Sequence, residues 1–331
     1  MKRRTFNNLL SSSSLVTMTP FLHSLDSHFK VVKVGVIGLD TSHSIAFSKI
    51  INNPPEGKSF DFKVTHAYPY GSRQIESSFS RIEGYIANIK ELGVEITDSI
   101  QQLLDQVDVV LLETNDGRLH LEQALEVFSA GKPVFIDKPI SAHLPNAIRI
   151  FAAAEEHQVP MFSSSSLRFG PSTQEVVNGK IGRVLGADTF SPAKLEKTHT
   201  DLYWYGIHGV ESLCTVMNTG CRQVRRVFTE AMEVVTGEWE GGRIGTFRGL
   251  RSKNVGYGGH AFGTEGIAPV GAYEGYEHLV YEILTFFQTG VAPVSKEQTL
   301  EIFAFMTAAD ESRKRNGAVV TLAEVVEAAQ G

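Results

Sequence analysis

A lysine that could transfer a proton follows a short apolar run of the sequence. The run Val134–Ile136 reads as a buried strand and continues into Asp137-Lys138-Pro139. Sheets built from alternating strands and helices bind ligands at the carboxyl ends of their strands. A lysine there can act as a general base or acid when burial or a nearby cation lowers its pKa. We therefore expect Lys138 to move a proton, with Asp137 holding its direction; the alternative is a surface lysine after a strand.

A histidine further along the chain is a second candidate for proton transfer. His208 lies on a predicted helix over 205–217, in the run Gly206-Ile207-His208, with Glu211 about one turn later. Imidazole donates and accepts protons near neutral pH, which suits a proton partner of Lys138 or a group that orients a substrate. A histidine inside the core is the alternative.

The stretch GVIGLDTSHS, residues 35–44, follows the first predicted strand and opens a helix. A turn of the form Gly-x-Gly-x-x-Gly in this place seats the pyrophosphate of a dinucleotide on the helix N-terminus. Gly38 takes the first glycine position, but Asp40 and His43 take the other two. A carboxylate about 4 Å from a phosphate costs about 4 kcal/mol at an effective dielectric constant of about 20, which disfavours direct contact.

Two arrangements of this turn remain open. In the first, Asp40 caps the helix and occupies the phosphate seat itself. In the second, Asp40 is turned away from the phosphates and His43 lies close to them. We expect the second arrangement, in which the phosphates are bound by the turn and the first helical residues, that is, by Gly38, Leu39, Thr41, Ser42 and His43.

The order of the predicted elements gives the fold class. Strands alternate with helices as far as about residue 165, which is typical of a doubly wound parallel sheet. Beyond it, predicted strands at 184–190, 222–229, 232–238, 243–250 and 255–262 accompany helices at 205–217, 276–287 and 298–313. The sequence therefore predicts an α/β protein with a Rossmann-type domain over 30–165 and an α+β domain with a mostly antiparallel open sheet over 166–331.

Together these features resemble the Gfo/Idh/MocA oxidoreductase family over nearly the whole chain after residue 30. The resemblance is carried by the turn at 34–44, by His120 at the start of a helix, by Asp137-Lys138-Pro139 in place of the family's Glu-Lys-Pro, and by His208 and Glu211 in place of Gly-x-His-x-x-Asp. It implies an enzyme that uses NAD or NADP to transfer a hydride to or from a hydroxyl carbon of a sugar, cyclitol or related polyol. It also implies a homo-oligomer formed through the C-terminal sheet.

The resemblance also implies roles for individual residues. The catalytic residues that it implies for this chain are Lys138, His208 and Asp201. Many family members have an aspartate four residues before the histidine, where this chain has Trp204. Besides the turn with Asp40, the implied cofactor contacts are Ser72, Arg73, Thr114, Asn115, His120, Asp137 and Lys138. The implied substrate contacts are Lys138, Arg168, Trp204, Tyr205 and His208.

The sequence leaves the cofactor and the reaction open. The loop after the second predicted strand has no carboxylate for an NAD ribose, and Arg73 lies near, so NADP is as compatible as NAD. Two other functions remain: a cofactor-free carbohydrate-binding relative, and a lyase or glycosidase that uses tightly bound NAD for transient oxidation. Lys138 favours catalysis, whereas Asp40 and Trp204 favour its loss.

Composition excludes several classes of protein. The 331 residues carry a net charge of −6 without a basic run, which argues against a nucleic-acid partner. Two cysteines, Cys214 and Cys221, are too few for a disulfide framework, and they lack the spacing of a metal site. We therefore predict no metal from the sequence. The apolar stretch over 9–22 is too short and too polar to span a bilayer.

Residues 1–27 differ in character from the rest of the chain. Lys2-Arg3-Arg4-Thr5-Phe6 precedes a weakly apolar, serine-rich stretch and resembles a twin-arginine export signal. We expect export of the folded protein, to the periplasm or beyond; a basic tail on a cytoplasmic enzyme is the alternative.

This interpretation predicts the effect of a double substitution. Arg3→Lys combined with Arg4→Lys keeps the charge but removes the arginine pair, so the variant should stay in the cytoplasm while the wild type is exported and loses the leader. Immunoblots of cell fractions measure where each protein is found, and the mass of the exported chain shows whether the leader has been removed. Normal export of the double variant, or retention of the wild type, would contradict the prediction.

Overall fold

The first half of the chain forms a parallel sheet, as its alternating pattern predicts. The computed structural model describes residues 31–56, 58 and 60–331, so the predicted leader lies outside the described residues. The sheet has the order β3-β2-β1-β4-β5-β6 and all of its pairs are parallel. Its strands are β1 (Val32–Ile37), β2 (Phe62–Tyr68), β3 (Glu95–Ile96), β4 (Val109–Leu112), β5 (Val134–Ile136) and β6 (Met161–Phe162).

Helices connect these strands in the manner of a doubly wound fold. They are α1 (Ser42–Asn52), α2 (Glu76–Phe79), α3 (Ile82–Lys90), α4 (Ile100–Leu104), α5 (His120–Ser129) and α6 (Leu144–Glu156). The apolar residues over 75–92 have the spacing of a single helix, but the structure has two helices there, because the chain turns at Ser80 and Arg81. The apolar spacing continues across that turn and therefore does not reveal it.

The second sheet is mixed and mostly antiparallel, as predicted. Its order is β12-β11-β7-β10-β9-β8-β13, in which only β7 and β10 pair in parallel. The strands are β7 (Val184–Pro192), β8 (Cys221–Phe228), β9 (Met232–Trp239), β10 (Arg243–Leu250), β11 (Gly258–Gly263), β12 (Ile267–Pro269) and β13 (Val320–Thr321). The accompanying helices are α7 (Pro171–Val177), α8 (Ile207–Met217), α9 (Glu277–Thr289), α10 (Lys296–Lys314) and α11 (Leu322–Gln330).

Helix α9 returns to the first sheet, although it comes from the second half of the sequence. Its apolar residues, including Val280 and Ile283, share a core with Val36 of β1 and Phe47 of α1. Burying large aliphatic side chains stabilises such a junction by about 1.5–3 kcal/mol each. Val31–Gly331 form one compact unit that holds both sheets, and the domain boundary near residue 165 remains a prediction.

Among the described residues, no helix combines the length and the apolar character needed to cross a membrane.

Candidate functional site

A cavity of about 470 Å³ opens at the carboxyl ends of the first sheet's strands. Lys138 and His208, predicted from separate parts of the sequence, both line it. The remaining lining residues come from α1, the loops of the first sheet and the loops of the second half: Thr41, Ser42, His43, Ser77, Arg81, Asn115, Ser166, Leu167, Lys194, Leu195, Glu196, Trp204, Tyr205, Tyr257, Tyr273 and Tyr276. The fold therefore brings the two predicted proton carriers and the start of α1 to one site.

The turn between β1 and α1 keeps only the first feature of a dinucleotide turn. Gly38 has a φ of +92°, and a Cβ on it would lie 2.6 Å from the backbone nitrogen of Thr114, so glycine is required there. Thr41 caps α1 and accepts a hydrogen bond of 3.4 Å from the backbone N–H of His43. Ser42, the first residue of α1, is exposed and faces the cavity.

Asp40 does not cap α1. Its carboxylate is buried and accepts hydrogen bonds from the backbone N–H groups of Ser72, at 3.1 Å, and Asn115, at 2.9 Å. Burial raises the pKa of Asp40 to about 6, although these two hydrogen bonds act to lower it. The side chain is thus turned away from the helix N-terminus, and it ties the loop after β2 to the loop after β4.

Asp137 holds the predicted lysine and the histidine of the turn together. Its Oδ2 lies 2.8 Å from Nδ1 of His43 and 3.8 Å from Nζ of Lys138. Burial by itself would raise the pKa of Asp137, but His43 and Lys138 hold it well below its usual range. Asp137 therefore stays ionised and fixes the direction of Lys138, while the Nδ1 of His43 is engaged by protein.

His208 is fixed by the segment that follows β6. Ser165 Oγ lies 2.8 Å from Nδ1 of the imidazole. Burial first, and then the neighbouring Lys138 and His43, hold the pKa of His208 well below its usual value. The ring is consequently neutral at physiological pH, and its Nε2 is left for a ligand.

The predicted catalytic residue Asp201 and the predicted substrate-binding residue Arg168 lie outside the cavity. Asp201, expected to complete a proton relay, pairs instead with Arg226, at 3.0 Å, and with Arg313. Arg168, expected to bind substrate, is 5% exposed and pairs with Glu211 at 2.9 Å. Both roles remain predictions, but each charge is paired with a partner that the sequence pattern does not reveal.

A larger cavity of about 670 Å³ lies elsewhere and includes Arg168. Its lining includes residues of α7, α8 and the β9–β10 turn, but neither Lys138 nor His208. Only the smaller of these two cavities therefore holds both predicted proton carriers.

Most of the other predicted cofactor residues are part of the scaffold around the turn. Leu39 and Thr114 are buried. Ser72 donates from Oγ to Asp116 at 2.8 Å. His120 lies with Nε2 2.5 Å from the carbonyl oxygen of Thr114. Of the residues predicted from the loops after β2 and β4, Asn115 lines the cavity, whereas Arg73 is exposed outside it.

Several lining residues were missed by sequence reasoning. Ser77 lies in α2, and Arg81 lies between α2 and α3. Three tyrosines lie on loops of the second half or at the start of α9: Tyr257, Tyr273 and Tyr276. Tyr276 packs edge-on against His43, with ring centroids 4.9 Å apart. A cluster of tyrosines between residues 257 and 276 is visible in the sequence, but only the return of α9 to the first sheet places it at the cavity.

The fold and the turn place this chain among known proteins. Residues 32–164 match the model of the family described as "Oxidoreductase family, NAD-binding Rossmann fold", which is Gfo/Idh/MocA. This segment is a Gfo/Idh/MocA Rossmann domain. The family resemblance found in the sequence is thereby confirmed for the part of the chain that carries the turn and Asp137-Lys138-Pro139.

Two curated relatives match over about a third of the chain. An uncharacterized oxidoreductase of Streptococcus pneumoniae is 30% identical over 106 residues, which are 30% of this chain and 29% of that protein. The 1,5-anhydro-D-fructose reductase of Ensifer adhaerens is 31% identical over 105 residues, 30% of this chain and 31% of that protein. The matched segment thus spans about a third of each relative's length.

Solved structures establish the fold over both sheets. A probable dehydrogenase from Thermotoga maritima has a TM-score of 0.73 at 18% identity and covers 89% of this chain and 100% of its own. The scyllo-inositol dehydrogenase of Lactobacillus casei, solved with NAD(H) and scyllo-inositol, has a TM-score of 0.69 at 16% identity and the same coverage of both chains.

The residues at the start of α1 fit the phosphates of a dinucleotide. An exposed Ser42 opens an eleven-residue helix, and Ser77, Arg81 and Asn115 line the same cavity. A helix N-terminus beside an arginine favours anions. The carboxylate of Asp40, which would repel a phosphate, is buried behind the turn.

This geometry predicts how two substitutions change cofactor affinity. At pH 8, where Asp40 is ionised, Asp40→Asn should change the Kd for NAD or NADP by less than about tenfold, because the carboxylate faces Ser72 and Asn115 rather than the phosphates. The contrasting variant Ser42→Asp places a carboxylate at the exposed helix start and should weaken binding by about a hundredfold or more.

Isothermal titration with each cofactor measures both variants. A gain of about a thousandfold in Asp40→Asn would show that the carboxylate occupies the phosphate seat. Unchanged affinity in Ser42→Asp would show that the phosphates do not bind at α1.

Proposed function

We propose that this protein is an NAD(P)-dependent oxidoreductase that transfers a hydride to or from a hydroxyl carbon of a sugar, cyclitol or related polyol. The observation that carries the proposal is the cavity at which Lys138, His208 and the N-terminus of α1 meet. An acid–base pair beside an anion site is the arrangement that such a reaction needs.

The proton of the reacting hydroxyl is assigned to Lys138. The bound nicotinamide ring would accept or supply the hydride, which requires a group that takes up or returns the hydroxyl proton at the same carbon. Lys138 is 8% exposed and held by Asp137, so its amine is positioned at the cavity wall with little access to bulk water. His208, neutral and oriented by Ser165, would accept or donate a hydrogen bond to the same or a neighbouring hydroxyl.

The phosphates of the cofactor are assigned to the start of α1. Ser42 and the first backbone N–H groups of the helix, together with Arg81 and Asn115, would supply donors and positive charge. The loop after β2 holds Arg73 and no carboxylate, so it supports NADP and NAD alike, and both belong in every assay.

The walls of the cavity support a polyol as substrate. Trp204, Tyr205, Tyr257 and Tyr273 present aromatic faces together with hydroxyl and indole groups, which suit the C–H faces and hydroxyls of a sugar-like ring. Lys194 lies 5.5 Å from the centroid of the Tyr205 ring and adds a positive charge. Relatives named for an inositol and for an anhydro sugar lend support to this substrate class.

Two further properties belong to the proposal. The second sheet exposes large apolar side chains on its strands, among them Val227 at 65% and Ile244 at 54%, and we propose that this open face forms a homo-oligomer. Export through the twin-arginine leader would suit a protein that binds its cofactor before it leaves the cytoplasm.

The role of Lys138 can be tested with a variant that keeps its charge. Lys138→Arg retains a cation beside Asp137 but cannot release a proton near neutral pH. We expect kcat to fall by about 10²–10⁴-fold, the usual value of general acid–base catalysis, with an unchanged melting temperature. Turnover is followed by nicotinamide absorbance with a panel of inositols and hexoses.

The matched control is Lys132→Arg, because Lys132 lies between α5 and β5 outside the cavity. It should leave kcat unchanged. If Lys138→Arg keeps more than about a tenth of the wild-type kcat, Lys138 is not the proton carrier.

A further inference from the structure

Three side chains of the kinds that bind metal ions lie close together at the cavity. His43 lies in the first turn of α1, Glu113 directly follows β4, and Asp137 directly follows β5. One ligand atom from each lies within 4.8 Å of the other two, and all three residues are buried. Because β1, β4 and β5 are neighbours in the sheet, their carboxyl ends bring these residues to one point.

The carboxylate of Glu113 has no hydrogen-bond partner in the part of the chain that the structure describes. Glu113 is fully buried, and neither of its oxygens has a hydrogen-bond partner. The same holds for Oδ1 of Asp137. Buried carboxylates are ordinarily paired, hydrogen-bonded or bound to a metal, because removing an unpaired charge from water is very costly. The unpaired oxygens of Glu113 and Asp137 are therefore open to a ligand that the described residues do not supply.

Protonation of Glu113 does not by itself satisfy this arrangement. Burial, and then repulsion by Asp137, raise the pKa of Glu113 well above its usual value. A protonated carboxyl, however, has an O–H group that needs an acceptor, and neither Glu113 oxygen has a hydrogen-bond partner among the described residues. Lys138 Nζ approaches the cluster at Asp137 Oδ2, where it is 3.8 Å away, and makes no hydrogen bond to Glu113.

We propose that His43, Glu113 and Asp137 bind one divalent transition-metal ion, which would replace the 2.8 Å hydrogen bond between His43 Nδ1 and Asp137 Oδ2. An imidazole nitrogen with two carboxylates is a donor set that suits Mn²⁺, Fe²⁺ or Zn²⁺, and the two carboxylates balance the charge of the ion. His43 and Lys138 line the cavity, so the ion site adjoins the proposed substrate site. The proposal does not depend on the proposed function, because binding of the ion is measured without turnover.

Binding of Mn²⁺ and Zn²⁺ to the full chain tests the site. The tag-free protein is dialysed against a chelator, and Mn²⁺ is titrated with the free ion measured by electron paramagnetic resonance; Zn²⁺ is titrated by calorimetry. We expect one ion per chain for at least one of the two metals, together with a rise in melting temperature.

Glu113→Gln removes the charge and nearly preserves the shape. It should lower the affinity for the ion more than tenfold and abolish the rise in melting temperature. Without metal, its melting temperature should stay close to that of the wild type, because the amide nearly preserves the shape of the carboxyl group. His43→Asn, which removes the imidazole, is the second variant and should also bind more than tenfold more weakly.

The matched control is Asp116→Asn, a buried acid at the same edge of the sheet that pairs with Arg118 at 2.6 Å and lies outside the cluster. It should bind the ion as the wild type does. The proposal is overturned if the wild type binds neither metal, or if Glu113→Gln or His43→Asn binds it with wild-type affinity.

Discussion

The register of three neighbouring parallel strands decides what meets at the cavity. Ile37 of β1 pairs with Leu112 of β4, and Leu112 pairs with Ile136 of β5. The residues that follow these strands therefore emerge at one level, and Asp137 comes within reach of α1. Because side chains alternate along an extended chain, a shift of one residue in β5 would exchange the directions of Asp137 and Lys138. The acid–base group, the helix N-terminus and the buried carboxylates all depend on this register.

The second half of the chain completes the site by packing against that edge. Helix α9 joins the core of the first sheet, and Tyr276 at its start contacts His43 and Phe47. Helix α8 carries His208, whose ring is held by Ser165 from the segment after β6. Packing thus brings His208 of α8 and Lys138, which follows β5, to the same cavity.

The sequence predicts the parts of the site that depend on local pattern. Lys138 follows an apolar strand, His208 lies on a predicted helix, and the alternation of elements indicates both sheets. It does not predict what depends on partners distant in the chain. Asp40 is turned away because backbone N–H groups of Ser72 and Asn115 bind it, and Asp201 is neutralised by arginines of β8 and α10. Such pairings come from tertiary packing, which no periodicity records.

Tryptophan fluorescence tests directly whether the cavity beside Lys138 and His208 binds a nicotinamide dinucleotide, as we propose. The chain has two tryptophans: Trp204 lines this cavity, and Trp239 is buried in the second sheet. In Trp239→Phe, emission of the remaining tryptophan, Trp204, reports directly on the cavity. If the cofactor binds there, NADH or NADPH quenches this emission saturably, whereas the emission of Trp204→Phe, which retains Trp239, changes much less. Emission of Trp204 that is unaffected by both reduced cofactors would show that the cofactor does not bind in this cavity.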